Sequence, residues 1–176
     1  TYLGTRDTTI KASGASSLKF TVPSLSGSDV SGYYKVVFGR DFTEGQTFYI
    51  QWRQRFSPEI LVPFTGTNGF KQHIFWHGTG GSCTDVQLVT NEHFQRNFPI
   101  MYTACGARGL WTQLPDGDFL LEQGNFNCTN RADAPGEDNC AYYVPNQWIT
   151  YYYQVGIGHW NQTDTTVKAW VQYEGQ

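Results

Sequence analysis

The sequence predicts an all-β fold, a two-sheet antiparallel β-sandwich or jelly roll. Aromatic residues make up 16% of the chain, and Gly, Thr, Val and Tyr are frequent, which suits strands and turns better than helices. Short segments with alternating apolar and polar residues are separated by turn residues, and no segment has a convincing helical apolar period. Many short strands at such spacing are typical of sandwiches. The predicted strands are 17–22, 33–38, 47–56, 70–77, 85–90, 100–103, 119–122, 148–157 and 166–173.

The two most regular segments are 47–56 and 70–77, which we predict to be neighbouring antiparallel strands. In the first, Phe48, Ile50, Trp52 and Phe56 alternate with Tyr49, Gln51, Arg53 and Arg55. In the second, Phe70, Gln72, Ile74 and Trp76 alternate with Lys71, His73, Phe75 and His77. Because alternate side chains of a strand point to opposite faces, one face is predicted to be core and the other solvated. Side by side, the strands would bring Arg53, Arg55, Lys71 and His73 to one solvated face.

The last two predicted strands carry further aromatic residues on both faces. In 148–157 we expect Tyr151, Tyr153, Val155 and Ile157 in the core and Tyr152 and Gln154 outside. In 166–173 we expect Lys168, Trp170 and Gln172 on one face of the strand and Val167, Ala169 and Val171 on the other. If these strands share a sheet with the earlier two, its solvated face combines cations, a His, and Tyr and Trp rings that suit sugars. Trp52, Trp76 and Trp148 are expected in the core.

Length and charge limit the classes of function. The 176 residues fit a single domain, 1–176. The net charge of −3 offers no general attraction to nucleic acid. No apolar run is long enough for a membrane span.

The cysteines favour an oxidising compartment. There are four, Cys83, Cys105, Cys128 and Cys140, with no C-x-x-C pair typical of zinc or redox sites. Three pairings are possible, and we favour Cys83 with Cys105 and Cys128 with Cys140, because each closes a local loop. The start at Thr1 has no signal peptide, so we expect a mature secreted chain.

Several segments together suggest a family. They are Gly45-Gln46-Thr47-Phe48-Tyr49-Ile50-Gln51-Trp52-Arg53-Gln54-Arg55-Phe56-Ser57-Pro58, Phe70-Lys71-Gln72-His73, Cys83-Thr84-Asp85, Phe98-Pro99-Ile100-Met101-Tyr102, Gln147-Trp148-Ile149-Thr150 and Val167-Lys168-Ala169-Trp170-Val171. Over roughly residues 15 to 176 the chain resembles bacterial concanavalin A-like jelly rolls of the heparin-lyase-like or laminin-G-like kind, most of which lack a demonstrated activity. Domains of this kind continue into further C-terminal strands, so we expect the chain as given to lack some of them.

The resemblance specifies the scaffold more than the chemistry, but the residues expected on the solvated face match the needs of a polysaccharide lyase that cleaves uronate chains by β-elimination. That reaction needs cations to neutralise the carboxylate, a base for the C5 proton and an acid for the leaving oxygen. Lyases that the fold resembles use His or Tyr for proton transfer, so the hypothesis makes His73 the base and Tyr152 the acid. The substrate would be bound by Arg53, Arg55, Lys71, Gln154 and Trp170. Alternatively, the cations and the His lie on the solvated face of a strand and have no catalytic role.

Two other classes of function remain open. A non-catalytic, lectin-like module needs only exposed rings, for which Trp111, Trp160, Trp170 and Tyr152 are candidates. A structural subunit of an extracellular assembly could form if the last strand, 166–173, is an unpaired edge open to strand addition. Hydrolysis by paired carboxylates is disfavoured because Glu59, Glu92 and Glu122 are isolated.

No cofactor is predicted. The four His residues form no metal motif. A structural calcium ion could bind in the acidic loop, although no EF-hand spacing is present. Its candidate ligands are Asp116, Asp118, Asp133, Glu137 and Asp138.

Overall fold

The computed structural model of the chain describes residues 4–21, 34, 36–61, 70–76, 87–92, 99–104, 142–159, 162 and 164–176. These residues fall into two compact units, Thr1–Thr43 and Glu44–Gln176. All described sheets are antiparallel and no described residue is in an α-helix, so the predicted all-β class is confirmed.

The first unit contains a small antiparallel pair of strands, β1 (Thr5–Asp7) and β2 (Ser17–Lys19). Asp7 shapes the connection between them, because its Oδ1 accepts the backbone N–H groups of Thr9 at 2.8 Å and Ile10 at 3.0 Å. The hydroxyl of Ser17 closes the loop by donating to the Ile10 carbonyl at 2.5 Å. A short polar side chain that satisfies nearby backbone groups stabilises such a turn without regular secondary structure.

One sheet of the second unit has the order β3–β7–β8, from β3 (Thr47–Arg55), β7 (Trp148–Gly156) and β8 (Thr166–Tyr173). The segment Val144–Gln147 turns the chain into β7, with Gln147 N–H donating to the Val144 carbonyl at 3.2 Å. Pro145 suits the second position of a type II turn, and Asn146 has the positive φ of 62° that the third position requires. The turn therefore fixes where β7 begins beside the end of β3.

The other sheet has the order β4–β5–β6, from β4 (Phe70–Trp76), β5 (Gln87–Glu92) and β6 (Pro99–Ala104). A single 3₁₀ turn, Pro58–Leu61, follows β3. The register between β4 and β5 shifts between Lys71 and His73, which marks a bulge or irregularity in β4. An extra residue at such a point changes which side chains of a strand face the core.

The two three-stranded sheets pack through aromatic side chains, as in a sandwich. The ring centroids of Trp52 and Phe75 lie 6.2 Å apart, and those of Phe75 and Tyr153 lie 6.1 Å apart. The hydroxyls of Thr90 and Tyr153 form a buried hydrogen bond of 2.9 Å between β5 and β7. The buried core cluster consists of Phe56, Leu61, Tyr143, Ile149, Tyr151, Tyr153 and Val155. Burial of each large apolar side chain contributes about 2 kcal/mol.

The structure agrees with the predicted strands in part. The segments near 47–56, 70–77, 85–90, 100–103, 148–157 and 166–173 are strands, with bounds that differ by up to two residues. Tyr34, Val36, Val37 and Phe38 are not in a strand, so that part of the predicted strand 33–38 is wrong. The prediction that 47–56 and 70–77 are neighbours is also wrong, because β3 pairs with β7 whereas β4 lies in the other sheet.

Several predictions lie outside the described residues: the predicted strand 119–122, all four cysteines, the acidic loop proposed for calcium, and Trp111 and Trp160. In the described part of the chain, no helix is long and apolar enough to cross a membrane. In the described part of its sheet, β8 pairs on one side, with β7.

Candidate sugar-binding face

The outer face of the β3–β7–β8 sheet brings together most of the predicted substrate-binding residues. Strand alternation places Ile149, Tyr151, Tyr153 and Val155 of β7 in the core, so the residues between them point outwards. The register then defines three rows across the strands: Tyr49, Gln154 and Lys168; Gln51, Tyr152 and Trp170; Arg53, Thr150 and Gln172. We call these nine residues the outer face.

Three aromatic rings cross the outer face, one from each strand. Tyr49 and Tyr152 are stacked, with centroids 6.0 Å apart and an interplanar angle of 18°. Tyr152 and Trp170 follow at 5.5 Å and 48°. Tyr49 is 57% exposed and Trp170 48% exposed, although large aromatic side chains are usually buried. The rings therefore form a continuous apolar strip that is open to solvent.

Cations lie on both sides of this aromatic strip. Lys168 is two residues before Trp170 on β8, in the row that contains Tyr49. Arg53 lies in the row on the other side of Tyr152, together with Thr150 and Gln172. Both cations are exposed, and the nine residues of the outer face include no carboxylate. The face therefore offers apolar rings, amides and positive charge, which suit a hydroxylated and anionic ligand.

Arg55 lies at the end of β3 and is held by the turn that precedes β7. Its Nε donates to the backbone carbonyl of Asn146 at 2.8 Å, and the Asn146 N–H donates to the Phe56 carbonyl at 2.8 Å. The Arg55 side chain therefore links the end of β3 to this turn by a hydrogen bond. The sequence pattern placed Arg55 correctly on the strand but gave no sign of this hydrogen bond.

Lys71 and His73 do not join the outer face, which corrects the predicted arrangement of the cations. Both lie on β4 of the other sheet, where Lys71 is exposed. The His73 ring lies between the sheets, 4.4 Å from the Trp52 ring and 4.2 Å from the Phe75 ring, measured between centroids. The irregularity after Lys71 explains the change, because simple alternation would have placed His73 and Trp52 on different sides.

The surroundings of His73 determine its protonation state. Burial among aromatic rings disfavours the charged imidazolium and lowers the pKa of His73 from 6.5 to about 4. The imidazole is therefore neutral at neutral pH. Tyr152, the predicted partner in proton transfer, points to the opposite side of the β3–β7–β8 sheet, so the two proposed catalytic groups do not share one site.

A second polar arrangement holds the connection between β7 and β8. Asp164 accepts the backbone N–H of His159 at 2.8 Å through Oδ1, and its Oδ2 lies 2.6 Å from Nδ1 of the same His. The hydrogen bond to Asp164 raises the pKa of His159, and the same bond lowers the pKa of Asp164. Gly158 is required beside this pair, because a Cβ atom at that position would collide with Asp164.

The described residues include no group of three or more His, Cys, Asp or Glu side chains arranged to hold a metal ion. Comparison with known protein families, with curated proteins and with solved structures finds no match to this chain.

Five of the nine outer-face residues were not among the predicted site residues, and two of these, Tyr49 and Lys168, supply an aromatic ring and a cation. Alternation in the sequence already placed both on solvated strand faces. What the sequence lacked was the strand order: only the pairing of β3 with β7, and of β7 with β8, brings Tyr49 and Lys168 beside Tyr152 and Trp170. Strand order depends on long-range pairing, which local patterns do not specify.

Proposed function

We propose that this chain is a secreted carbohydrate-binding domain of the jelly-roll type, and that its outer face binds an acidic polysaccharide. The observation that carries the proposal is the aromatic strip of Tyr49, Tyr152 and Trp170, in which two of the rings are about half exposed. Exposed rings on a rigid sheet lose little conformational entropy on binding, because the strands already hold them in place. This favours a binding surface over a purely structural one.

The chemistry of sugars suits such a strip. A pyranose ring has an apolar face of C–H groups that can pack on an aromatic ring, and its hydroxyls can pair with amides at the edges. Gln51, Gln154 and Gln172 supply amide groups on the outer face, one in each row. An extended chain of sugars could therefore contact several rings and amides at once.

The charge of the outer face favours an acidic ligand. Arg53 and Lys168 flank the strip, and a uronate carboxylate can form a charge-assisted hydrogen bond with either of them. The protein has a net charge of −3, so these cations give the face a sign opposite to that of the whole chain. Long-range attraction is weak in this situation, and recognition depends on local contacts.

Binding without cleavage is the activity that the geometry supports best. β-Elimination needs an acid and a base around one sugar, whereas His73 and Tyr152 lie on opposite sides of the sheet. No His is among the nine residues of the outer face. We therefore rank a binding domain above a lyase.

The experiment that tests the proposal is calorimetric titration with a polyuronate such as alginate, and with a neutral glucan for comparison. Trp170→Ala is expected to weaken binding roughly two- to tenfold, because one aromatic contact is lost. Trp170→Phe is the matched control, since it keeps a flat ring at the same position, and should bind nearly as well as the parent chain. Equal affinity of all three proteins, or no binding by the parent chain, would contradict the proposal.

Cleavage is tested with the same polyuronate by following the ultraviolet absorbance of the unsaturated product. A flat trace with retained binding is expected. A rise that disappears in Tyr152→Phe would instead establish a lyase whose proton transfer takes place on the outer face. A rise that persists in Tyr152→Phe but disappears in His73→Gln would place the reaction between the sheets, and the outer face would then not be the functional site.

A further inference from the structure

A fourth row of residues continues the outer face beyond Tyr49 and Lys168. It consists of Thr47 of β3, Gly156 of β7 and Thr166 of β8, which lie side by side in the register of the sheet. Each of them is two residues from a member of the neighbouring row, so strand alternation places all three on the side of the aromatic strip. We call these three residues the hydroxyl row.

The absence of a side chain at Gly156 lets two hydroxyl groups approach each other in this row. A Cβ atom at position 156 would lie 2.7 Å from Oγ1 of Thr166 and 3.6 Å from Oγ1 of Thr47. A separation below 3.0 Å is too short for such a contact, so any residue with a Cβ atom there would push the Thr166 hydroxyl away. A glycine in a strand often marks a place where a ligand or another backbone comes close.

The polar groups at this end of the outer face are exposed, and other parts of the described chain do not use them. Among the described residues, no group is hydrogen-bonded to the hydroxyl of Thr47 or Thr166, and none forms an ion pair with Lys168. Asp164, the carboxylate two residues before Thr166, is bonded to His159 through both of its oxygens. Two hydroxyls and an ammonium group are therefore available to a ligand.

The backbone on both sides of the hydroxyl row is held by hydrogen bonds. The N–H of Ile157 donates to the Gln46 carbonyl at 2.8 Å, which joins the start of β3 to the end of β7. The N–H of Gly158 donates to Oγ1 of Thr165 at 3.1 Å, which joins the end of β7 to the start of β8. The hydroxyls are therefore presented by a fixed backbone, which reduces the conformational entropy lost on binding.

We infer that the hydroxyl row and Lys168 form a subsite for the carboxylate of an acidic sugar, at the Tyr49 end of the aromatic strip. An ionised carboxylate only accepts hydrogen bonds, and the hydroxyls of Thr47 and Thr166 and the ammonium of Lys168 can all donate. Hydrogen bonds of this kind are strengthened by the charge of the acceptor. The inference rests on the proposed function, because it assigns one contact of the same acidic polysaccharide.

Two substitutions at position 166 test the subsite by calorimetric titration with a polyuronate. Thr166→Val removes the hydroxyl but keeps the branched shape that suits a strand, and Thr166→Ser is the matched control that keeps the hydroxyl. Thr166→Val should weaken binding roughly three- to tenfold, through the loss of one hydrogen bond to a charged group, whereas Thr166→Ser should bind nearly as the parent chain does. Gly156→Ala should weaken binding by a similar factor, because its Cβ atom displaces the Thr166 hydroxyl.

The same titrations separate this inference from the proposed function. If the parent chain binds no polyuronate, both fail. If binding is weakened by Trp170→Ala but is unchanged in Thr166→Val and in Gly156→Ala, the aromatic strip binds the polysaccharide and only the carboxylate subsite is wrong.

Magnetic resonance on the unaltered chain tests whether the subsite recognises the carboxylate itself. The backbone N–H signals of Gly156 and Thr166 should shift on addition of a short uronate oligosaccharide, and a neutral glucan fragment of the same length should shift them much less. Shifts of equal size with both fragments would mean that these hydroxyls contact sugar hydroxyls, and would overturn the inference. Signals that stay unchanged when the uronate fragment is bound elsewhere on the outer face would overturn it as well.

Discussion

The imidazole of His73 meets the indole of Trp52 edge-on, at 4.4 Å between centroids and 71° between planes, in the interface between the two sheets. The same Trp52 stacks on Tyr151 of β7. An ionisable side chain is therefore part of the aromatic packing that joins β4 to the β3–β7–β8 sheet. Any change in its charge acts on the contact between the sheets.

Acid should destabilise the protein through His73. Burial lowers the pKa of His73 from 6.5 to about 4 in the folded state, so between these values the unfolded chain binds a proton that the folded chain does not. The free energy of unfolding should therefore fall as pH decreases from 6.5 towards 4, by on the order of 3 kcal/mol. Urea denaturation across this range measures the effect.

The control for this prediction is His73→Phe, which keeps an aromatic ring against Trp52 but cannot be protonated. Its pH dependence over the same range should be reduced by the amount attributed to His73. If the parent chain and His73→Phe lose stability in parallel, then other groups are responsible for the acid sensitivity.

The interaction between His159 and Asp164 should stabilise the protein only within a window of pH. The bond raises the pKa of His159 above 6.5, so its stabilisation is present below that value and is lost as pH rises through the folded pKa. The pKa of Asp164 is lowered below 3.8, so its contribution is present above that value and is lost as pH falls through the folded pKa. The hydrogen-bonded pair of His159 and Asp164 should therefore stabilise the connection between β7 and β8 most between about pH 4 and pH 6.5.

The measurement is the chemical-shift titration of the two side chains, compared with the titration in single variants. In Asp164→Asn the pKa of His159 should return towards 6.5, because the charged acceptor is lost. An unchanged titration of His159 in that variant would show that Asp164 does not hold the ring in solution. Because both groups are exposed, the change in overall stability should be small.

The charge of the outer face should appear as a salt dependence of ligand binding. Arg53→Gln and Lys168→Gln should each weaken binding of a polyuronate by a few-fold at low salt, since exposed ion pairs contribute up to about 1 kcal/mol. Both variants should also reduce the loss of affinity on adding salt. Binding of a neutral glucan, if present, should be the same in the parent chain and in both variants.

Unchanged binding in Arg53→Gln and Lys168→Gln would contradict the proposed acidic ligand. If both variants bind the polyuronate as the parent chain does, with the same salt dependence, then the ligand does not contact the cations, and the acidic class of ligand is wrong. Gln172→Ala, which removes an uncharged group from the same face, provides the reference for non-electrostatic effects.

Local patterns in the sequence predicted the faces of individual strands better than the assembly of strands. Tyr151, Tyr153 and Val155 are buried as alternation predicted, and Trp170 is exposed. The pairing of β3 with β7 joins residues about a hundred positions apart, and nothing local in the sequence encodes that choice. The irregularity in β4 similarly has no local signature, and it moved His73 from the expected solvated face into the core. The sequence therefore predicted Arg53, Tyr152, Gln154 and Trp170 of the candidate site, but it wrongly added Lys71 and His73, which lie on a strand of the other sheet.

The turn before β7 gives a final prediction, because the position of β7 beside β3 depends on it. Asn146 has φ of 62°, in the left-handed region that Asn and Gly tolerate and other residues avoid. Asn146→Ala should lower the free energy of unfolding by about 1 kcal/mol, whereas Asn146→Gly should leave it nearly unchanged, since Gly adopts this conformation freely. Both variants keep the backbone groups that bond Arg55 and Phe56, so the difference between them does not come from those hydrogen bonds. Thermal and urea denaturation measure the difference; equal stability of the two variants would mean that the left-handed turn is not maintained in solution.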